Sequence, residues 1–345
     1  MATTVINFKP KQVVKRLIGV LPERAREVMT KRYGLGENNE RLTLDAIGKN
    51  YKITRERVRQ IESHALAVMR KAKQYTEEKP VFDELEKLIH ELGGIVVESE
   101  LLEHISKDVS IQNQINFLLV LGHPFKKTKE DEDFNHRWYI DEELSKKVHS
   151  SLKNLYTNLK DDDLIPESDM IKAFLEEVKD VAEHYKREEV IKRWLSLSKK
   201  IKKNPLGEWG KAGSPNISTK GMRDYAFLVI RKHGSPIHFK EVAKTISEVF
   251  NKKAHVATCH NELIKDPRFV LVGRGLYALS EWGYMSGVVK DVIKKILEKN
   301  GPLSKDEIVQ KVLKERYVKE NTIIVNLQNQ KYFKKDKDGK YSIVG

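Results

Sequence analysis

Apolar residues recur at helical spacing through most of the chain, and the clearest case is the segment 43–71. Thr43 and Thr54 stand where the N-caps of two helices are expected, and Lys52 lies in the tight turn between them. The apolar residues of the second helix lie three or four positions apart, which predicts one buried stripe. This stripe consists of Val58, Ile61, Ala65 and Val68. The pattern therefore predicts a helix-turn-helix.

The opposite face of the second helix is polar and suits contact with DNA. In a helix-turn-helix, the first turns of the second helix reach base edges in the major groove. Arginine pairs with guanine, glutamine pairs with adenine, and glutamate accepts a hydrogen bond from cytosine. A charged helix face is also explained by solvation alone, so both interpretations remain open from the pattern. The predicted DNA-contacting residues are Thr54, Arg55, Glu56, Arg57, Arg59, Gln60 and Ser63.

Three later segments, 82–140, 222–280 and 286–344, repeat one order of elements: a helix, a glycine-containing corner, further helices and a hairpin. In the last copy, Asp338-Gly339 is a strong hairpin-turn signal. Three helices followed by a β-hairpin is the winged-helix arrangement. The fold class is therefore predicted to be mainly α, a helix-turn-helix followed by tandem winged helices. The predicted domains are residues 1–75, 81–142, 143–216, 217–283 and 285–345.

The segment 143–216 is less regular and leaves two alternatives. It is either a fourth winged helix or a helical spacer, with helices at 144–159, 167–183 and 186–201. Residues 204–210 would then form a wing or a strap between domains. Two shorter stretches lack helical periodicity: residues 1–11 are predicted to be an N-terminal arm, and residues 74–80 a linker or a helix end.

The composition suggests a polyanionic partner and several small domains. Hydrophobic residues make up 39% of the 345 positions, charged residues make up 33%, and the formal net charge is +14. The single cysteine, Cys259, excludes an internal disulfide framework. The N-terminus has no apolar signal region, and no apolar run is long enough to span a bilayer. We therefore expect a soluble cytoplasmic protein with no membrane partner.

Neither a metal site nor a catalytic site is predicted. One region gathers several potential ligands, but their spacing fits no common zinc pattern. Cys259 and His260 are neighbours on a predicted helix and point about 100° apart, so they cannot readily share a proton. We expect no catalytic residue, no cofactor and no small-molecule substrate. The potential ligands are His233, His238, His255, Cys259 and His260.

Several separated blocks in residues 12–72 resemble region four of the sigma-70 family. The blocks are Leu21-Pro22-Glu23-Arg24, Arg32-Tyr33-Gly34-Leu35, Thr43-Leu44-Asp45-Ala46-Ile47-Gly48 and Thr54-Arg55-Glu56-Arg57-Val58-Arg59-Gln60-Ile61-Glu62. The resemblance implies contact with the −35 promoter element and docking on the flap of the RNA polymerase β subunit. It assigns the contacts with bases and nearby phosphates to Arg55, Glu56, Arg57, Arg59 and Gln60.

The resemblance to sigma factors has two limits. Family members usually carry extra basic residues late in the second helix, where activators bind, whereas this chain has Ala67, Val68 and Met69. The activator contact therefore does not carry over. No segment resembles sigma region two, which melts the −10 element, so the chain is not expected to start transcription alone.

Residues 219–282 resemble a HARE-HTH domain, a winged-helix family that binds DNA or transcription complexes. The resemblance rests on two stretches, His238-Phe239-Lys240-Glu241-Val242-Ala243 and Arg268-Phe269-Val270 through Arg274-Gly275-Leu276-Tyr277-Ala278-Leu279. It implies a third helix at about 254–264 that can enter a DNA groove. Many winged helices bind only proteins, so DNA contact here is one of two alternatives. The candidate contacts are Lys253, His255, Thr258, His260, Asn261 and Arg274.

Three functions are compatible with the sequence. The first is a DNA-binding transcription factor that recognises a −35-like element in double-stranded promoter DNA together with the RNA polymerase core. The second is a non-enzymatic scaffold that binds the polymerase without using DNA. The third is the DNA-recognition subunit of a restriction or repair system, which would need a nuclease partner.

Overall fold

The computed structural model describes residues 6–344, which form two compact units. Unit 1 comprises the residues up to Lys202 together with Trp209–Ala212, and unit 2 comprises Lys203–Glu208 and the residues from Gly213 onward. Positions 1–5 of the predicted N-terminal arm lie outside the described residues, and positions 10 and 11 already belong to the first helix. Among residues 6–344, no helix has both the length and the apolar content needed to cross a bilayer.

Unit 1 begins with five helices. They are α1 Pro10–Ile18, α2 Glu23–Tyr33, α3 Leu44–Tyr51, α4 Arg55–Lys71 and α5 Lys73–Glu77. The next helix, α6, starts at Lys79. The predicted linker or helix end at residues 74–80 is therefore mostly helical, and no extended linker separates α4 from the following elements.

Four segments then follow, each with the order helix, strand or bridge, helix, helix, hairpin. The first repeat contains α6 Lys79–Glu91, β1 Ile95–Val97, α7 Glu98–Ile105, α8 Val109–Leu121, β2 Lys126–Thr128 and β3 Arg137–Tyr139. The second contains α9 Glu142–Asn158, α10 Glu167–Glu177, α11 Glu188–Ser196, β4 Ile201–Lys203 and β5 Trp209–Lys211. The third contains α12 Met222–His233, β6 Ile237–His238, α13 Phe239–Phe250, α14 Val256–Lys265, β7 Phe269–Gly273 and β8 Leu276–Leu279. The fourth contains α15 Val289–Asn300, α16 Lys305–Glu315, α17 Glu320–Leu327, β9 Phe333–Lys335 and β10 Tyr341–Ile343.

The strand order is also shared by the repeats. The first and third repeats have three-stranded antiparallel sheets in the orders β1-β3-β2 and β6-β8-β7. In the second and fourth repeats, the first strand is reduced to one antiparallel bridge, from Ile165 to Trp209 and from Leu303 to Tyr341. Residues 142–211 therefore have the same element order as the other segments. The predicted helix at 186–201 ends earlier, at Ser196, because Ser198 Oγ accepts backbone N–H groups and turns the chain into β4.

Helix α8 is buried in the middle of unit 1. All its side chains from position 113 to 119 are buried, and the helix packs against both its own repeat and α1, α2 and α4. The Phe117 ring meets the Tyr33 ring edge-on with the ring centres 5.3 Å apart. One continuous hydrophobic core therefore joins the N-terminal helices to the first repeat.

Polar side chains hold α8 in place within this core. Asn113 Nδ2 donates to the backbone carbonyls of Gly34 at 2.9 Å and Asn39 at 2.8 Å, and its Oδ1 accepts from Arg41 Nε at 2.5 Å. Arg70, near the end of α4, donates to two carbonyls at the C-terminal end of α8, both at 2.9 Å. These bonds satisfy groups that would otherwise be buried without partners.

Helix α11 attaches the second repeat to the first in a similar way. Trp194 Nε1 donates to the carbonyl of Gly93 at 3.0 Å, in the corner before β1. A Cβ atom on Gly93 would lie 2.7 Å from Val190 Cγ1, and its φ of +115° also favours glycine. The close approach of α11 therefore depends on a glycine at this corner.

The third helices of the last two repeats, α14 and α17, keep an exposed face. Each packs against the other helices of its own repeat. Val256 and Ile264 on α14 are 41% and 62% exposed, and Val325 on α17 is 58% exposed. The third helix is thus buried in the two repeats of unit 1 and open in the two repeats of unit 2.

Replacing Asn113 with alanine is expected to destabilise unit 1. The change leaves two backbone carbonyls and the Arg41 guanidinium without their partner, which should cost about 2–4 kcal/mol of unfolding free energy. The matched control is Asn154→Ala, an exposed position on α9, which should change stability by less than about 0.5 kcal/mol. Denaturant unfolding of both variants checks this, and equal stability of the two would contradict the role given to Asn113.

The stability of unit 1 should fall as the pH drops from about 6.5 to about 4. Burial lowers the pKa of His149 to about 4, and nearby Arg137 adds to the effect. The ring packs on Phe134, and its Nε2 has no hydrogen-bond partner among the described residues. Because the folded state takes up the proton at lower pH than the unfolded chain, acid favours unfolding in this window. His149→Gln should flatten the pH dependence of unfolding, whereas His64→Gln, at an exposed position, should not.

Candidate nucleic-acid interface

The turn between α3 and α4 is fixed by local hydrogen bonds and one glycine. The hydroxyls of Thr43 and Thr54 each accept the backbone N–H three residues ahead, at 3.1 Å, and so cap α3 and α4. Lys52 adopts the left-handed conformation with φ +56°, and Ile53 N–H donates to the carbonyl of Gly48. A Cβ atom on Gly48 would lie 2.7 Å from the Ile53 carbonyl oxygen. Both predicted caps and the predicted turn are present.

A small core beneath the turn sets the angle between the helices. Val28 on α2, Ile47 on α3 and Val58 on α4 are fully buried against one another. This core supports the first turns of α4 from below, so the side chains on the opposite face point away from the protein. Burial of three such aliphatic side chains stabilises the arrangement by several kcal/mol in total.

The predicted apolar stripe of α4 is only partly buried. Val58 and Ala65 have no exposed surface, whereas Ile61 and Val68 are half-buried. Met69 is also fully buried, and it occupies the stretch where the resemblance places activator contacts. Met69 is therefore a core residue of this chain and is not available to a partner.

The middle of α4 is held to α2 by the Glu62 carboxylate. It accepts the Tyr33 hydroxyl at 2.8 Å and the Arg32 Nε at 3.2 Å. Burial raises the pKa of Tyr33 well above its usual value, and the neighbouring Glu62 carboxylate raises it further. The phenol therefore stays protonated and donates to Glu62 at any physiological pH.

The side chains predicted to contact DNA share one exposed surface over the N-cap and first turns of α4. This surface, called the α4 face below, consists of Thr54, Arg55, Glu56, Arg57, Arg59, Gln60 and Ser63. Their contact with DNA is not tested by the structure and stays a prediction. The surrounding segment is strongly basic, since residues 6–72 contain 16 lysines and arginines against 7 acidic residues.

Two pairs of polar side chains on the α4 face bind each other. Arg59 makes two hydrogen bonds to the Glu56 carboxylate, at 2.9 and 2.7 Å, and Arg57 donates to Gln60 Oε1 at 3.1 Å. The hydrogen bond from Arg59 lowers the pKa of Glu56 below its usual value. Glu56 is therefore an ionised acceptor at neutral pH. Both pairs are fully exposed, so they hold the side chains in defined positions but can exchange partners readily.

In unit 2, most of the candidate contacts in the third repeat are exposed. Lys253, His255, Thr258, Asn261 and Arg274 all face solvent. They lie at the N-terminal end of α14, along its open face, and in the β7–β8 turn. Their predicted contact with DNA also remains untested.

His260 is different from the other candidates because its ring is stacked inside the third repeat. It lies 4.1 Å from the Phe239 ring at an angle of 15°, and meets the Tyr277 ring edge-on. The neighbouring His238 caps α13 by accepting the Lys240 N–H. His260 thus has a packing role that limits its reach towards a ligand.

The residues considered for metal or thiol chemistry do not form a site. In the part of the chain that the structure describes, no group of three or more His, Cys, Asp or Glu side chains is arranged to hold a metal ion. Cys259 is buried, and burial raises the pKa of its thiol to about 11. The thiol is therefore protonated at neutral pH and is not a ready nucleophile.

The interface between α8 and the N-terminal helices was missed by the sequence reasoning. A usable signal exists, because α8 has no charged residue on any side. A helix with this pattern is buried on every face. A winged helix at 81–142 considered by itself has no element that covers its third helix. In the structure, α1, α2 and α4 cover this helix.

The matched family model is Sigma-70, region 4, and it covers residues 17–71. Similar proteins include the RNA polymerase principal sigma factor HrdD of Streptomyces viridifaciens, 40% identical over 68 residues, which are 20% of this chain and 20% of that protein. The RNA polymerase sigma factor RpoS of Coxiella burnetii is 45% identical over 69 residues, 20% of this chain and 19% of that protein. The RNA polymerase sigma factor SigA of Clostridium acetobutylicum is 38% identical over 60 residues, 17% and 16% of the two chains.

The residues matched by the family model lie in the N-terminal helices of unit 1. The chain spans about a fifth of the length of the first of these curated relatives. The matched residues contain α2, α3 and α4 with the caps, the turn and the exposed α4 face. Residues 17–71 are therefore a sigma-70 region 4 domain.

Proposed function

We propose that the chain is a non-enzymatic DNA-binding transcription factor that works with bacterial RNA polymerase. Its region 4 domain recognises a −35-like promoter element through the α4 face. The protein acts in the bacterial cytoplasm and needs no cofactor. The observation that carries the proposal is the exposure of the α4 face on a confirmed region 4 domain.

The chemistry of the α4 face supports recognition of bases. Arg55 has no carboxylate partner among the described residues, so its guanidinium is available for a guanine edge. Gln60 can pair with adenine and ionised Glu56 with cytosine, while Arg57 and Arg59 can reach bases or phosphates. Thr54 and Ser63 extend this surface at its two ends.

Polymerase binding is proposed from the nature of the relatives, which are RNA polymerase sigma factors. The region 4 domain supplies one surface for the polymerase core, and the β-subunit flap is the proposed contact. We propose further that the chain supplements or competes with a resident sigma factor at selected promoters.

The four repeats are proposed to be winged-helix domains, and the third is proposed to be a HARE-HTH domain. The order of three helices and a hairpin supports this, as does a strand order that places the first strand beside the last. The proposed boundaries are 81–142, 143–216, 217–283 and 285–345. In this arrangement the repeats of unit 1 support region 4, and those of unit 2 provide further contacts.

Arg55→Ala should reduce discrimination at one base pair of the preferred sequence by about 1–3 kcal/mol, because the lost bidentate contact carries sequence information. The control is Lys71→Ala, which removes one positive charge from the exposed C-terminal end of the same helix. The measurement compares the affinities of the full chain for the preferred duplex and for single-base variants of it.

Lys71→Ala is expected to lower the affinity for all duplexes slightly and equally. If Arg55→Ala also lowers the affinity for all duplexes equally, Arg55 contacts phosphate and does not recognise a base. If neither variant affects DNA, but both still bind the polymerase core, the chain is a polymerase-binding scaffold and the proposal fails.

A further inference from the structure

The net charge of +14 is unevenly distributed along the chain. Residues 73–211, which contain the first two repeats, carry 29 acidic and 23 basic residues and are therefore net negative by six. Residues 212–285 carry 11 basic and 6 acidic residues, and residues 286–344 carry 14 basic and 8 acidic residues. The segment that follows region 4 is thus acidic, and the segments in unit 2 are basic. A net negative segment disfavours contact with a polyanion.

Burial follows the same division as charge. In the acidic segment, the third helices α8 and α11 are covered by neighbouring elements of unit 1. In unit 2, the third helices α14 and α17 keep open faces. The two repeats of unit 1 therefore lack both the charge and the open helix that contact with a DNA groove needs.

The hairpin of the fourth repeat concentrates lysine side chains on its surface. It consists of β9, β10 and the turn between them, and Lys334, Lys335, Lys337 and Lys340 are all exposed. Phe333 anchors the hairpin in the core of the repeat, where it is 2% exposed. The four ammonium groups are therefore presented on a stretch of backbone that is fixed at its base.

One of the two acidic residues of the hairpin, Asp336, helps to build the turn, whereas the Asp338 side chain is exposed. Asp336 Oδ1 accepts the backbone N–H groups of Asp338 at 3.0 Å and Lys340 at 2.8 Å. Gly339, with φ +83°, completes the turn. Within residues 6–344, none of the four lysines forms a salt bridge, although Glu307 interacts electrostatically with Lys340.

The third repeat has less charge available for the same task. Its Arg268 is half-buried and bonded to both Asp224 and Asp266, and its Arg231 pairs with Glu208. The β7–β8 turn carries a single cation, Arg274. The hairpin of the third repeat therefore presents fewer cationic side chains than the hairpin of the fourth.

We propose that the fourth repeat is a second DNA-binding site, in which the lysines of the β9–β10 hairpin contact the phosphate backbone of duplex DNA. The open face of α17 lies in the same repeat and presents Asn321 and Thr322 at its N-terminal end. This site binds without strong sequence preference, because ammonium groups on phosphates carry little sequence information. The inference extends the proposed function, in which region 4 recognises the sequence.

The test uses the full chain carrying Lys334→Gln, Lys335→Gln, Lys337→Gln and Lys340→Gln together. The matched control carries Lys107→Gln, Lys147→Gln, Lys172→Gln and Lys179→Gln, four exposed lysines of the acidic segment. Both proteins lose the same charge. Affinity is measured for a duplex that lacks the preferred sequence, over a fourfold range of salt concentration, and thermal unfolding checks that each variant is folded.

Each phosphate contact contributes about 0.9 to the slope of log affinity against log salt, so loss of four contacts lowers the slope by roughly 3.6. A fourfold increase in salt concentration should then weaken DNA binding by the wild type on the order of 100-fold more than DNA binding by the hairpin variant. The control should keep the wild-type slope. Equal slopes for the hairpin variant and the wild type would overturn the proposal, as would a loss confined to single-stranded RNA or to the polymerase core.

The same titrations separate this inference from the proposed function. The ratio of affinities for the preferred and the scrambled duplex reports base recognition by region 4. The hairpin variant should keep that ratio and show a smaller salt slope, whereas Arg55→Ala should lower the ratio and nearly keep the slope. If the wild type binds the preferred and the scrambled duplex equally, base recognition by region 4 fails. The salt slopes of the wild type and the hairpin variant still decide whether the hairpin binds DNA.

Discussion

The burial of α8 against the N-terminal helices is the contact on which the organisation of unit 1 depends. Asn113 joins α8 to the backbone after α2, and Phe117 packs on Tyr33. Tyr33 in turn donates to Glu62 on α4. The helix that carries the α4 face is therefore fixed through one chain of contacts to the first repeat. Region 4 therefore packs on its own chain with one side and leaves the α4 face exposed on the other.

This arrangement separates the repeats into two kinds. In the two repeats of unit 1, which lie in the net negative segment 73–211, the same order of helices and strands serves as packing, and the third helices are covered. In unit 2 the third helices are open and the charge is positive. The two pairs of repeats thus share one order of elements. They differ in the burial of the third helix and in net charge. The hydrogen bond from Trp194 to Gly93 is an example of the packing in unit 1. The exposed Lys337 is an example of the positive charge in unit 2.

Local features could be predicted from the sequence because their causes are local. Thr43 and Thr54 cap the helices as expected, since capping needs only the residue and the next turn. The region 4 domain was predicted correctly from separated blocks of residues. The contact of Asn113 with Gly34 joins positions 79 apart, and no periodicity along the chain encodes such a pairing. Met69 stands where sigma factors usually carry basic residues, and it is buried in a core that includes residues of α8 far along the chain. The stacking of His260 also depended on the fold, since Phe239 lies on another helix.

We propose that region 4 of this chain recognises a DNA sequence through the α4 face. Its most direct test is selection from random duplex DNA on the purified full chain, with and without RNA polymerase core, followed by sequencing. We expect the wild type to enrich a −35-like hexamer. We expect Arg55→Ala to enrich a hexamer whose base preference is changed at one position. Absence of any enriched sequence under both conditions, with the polymerase core still retained by the protein, would contradict it.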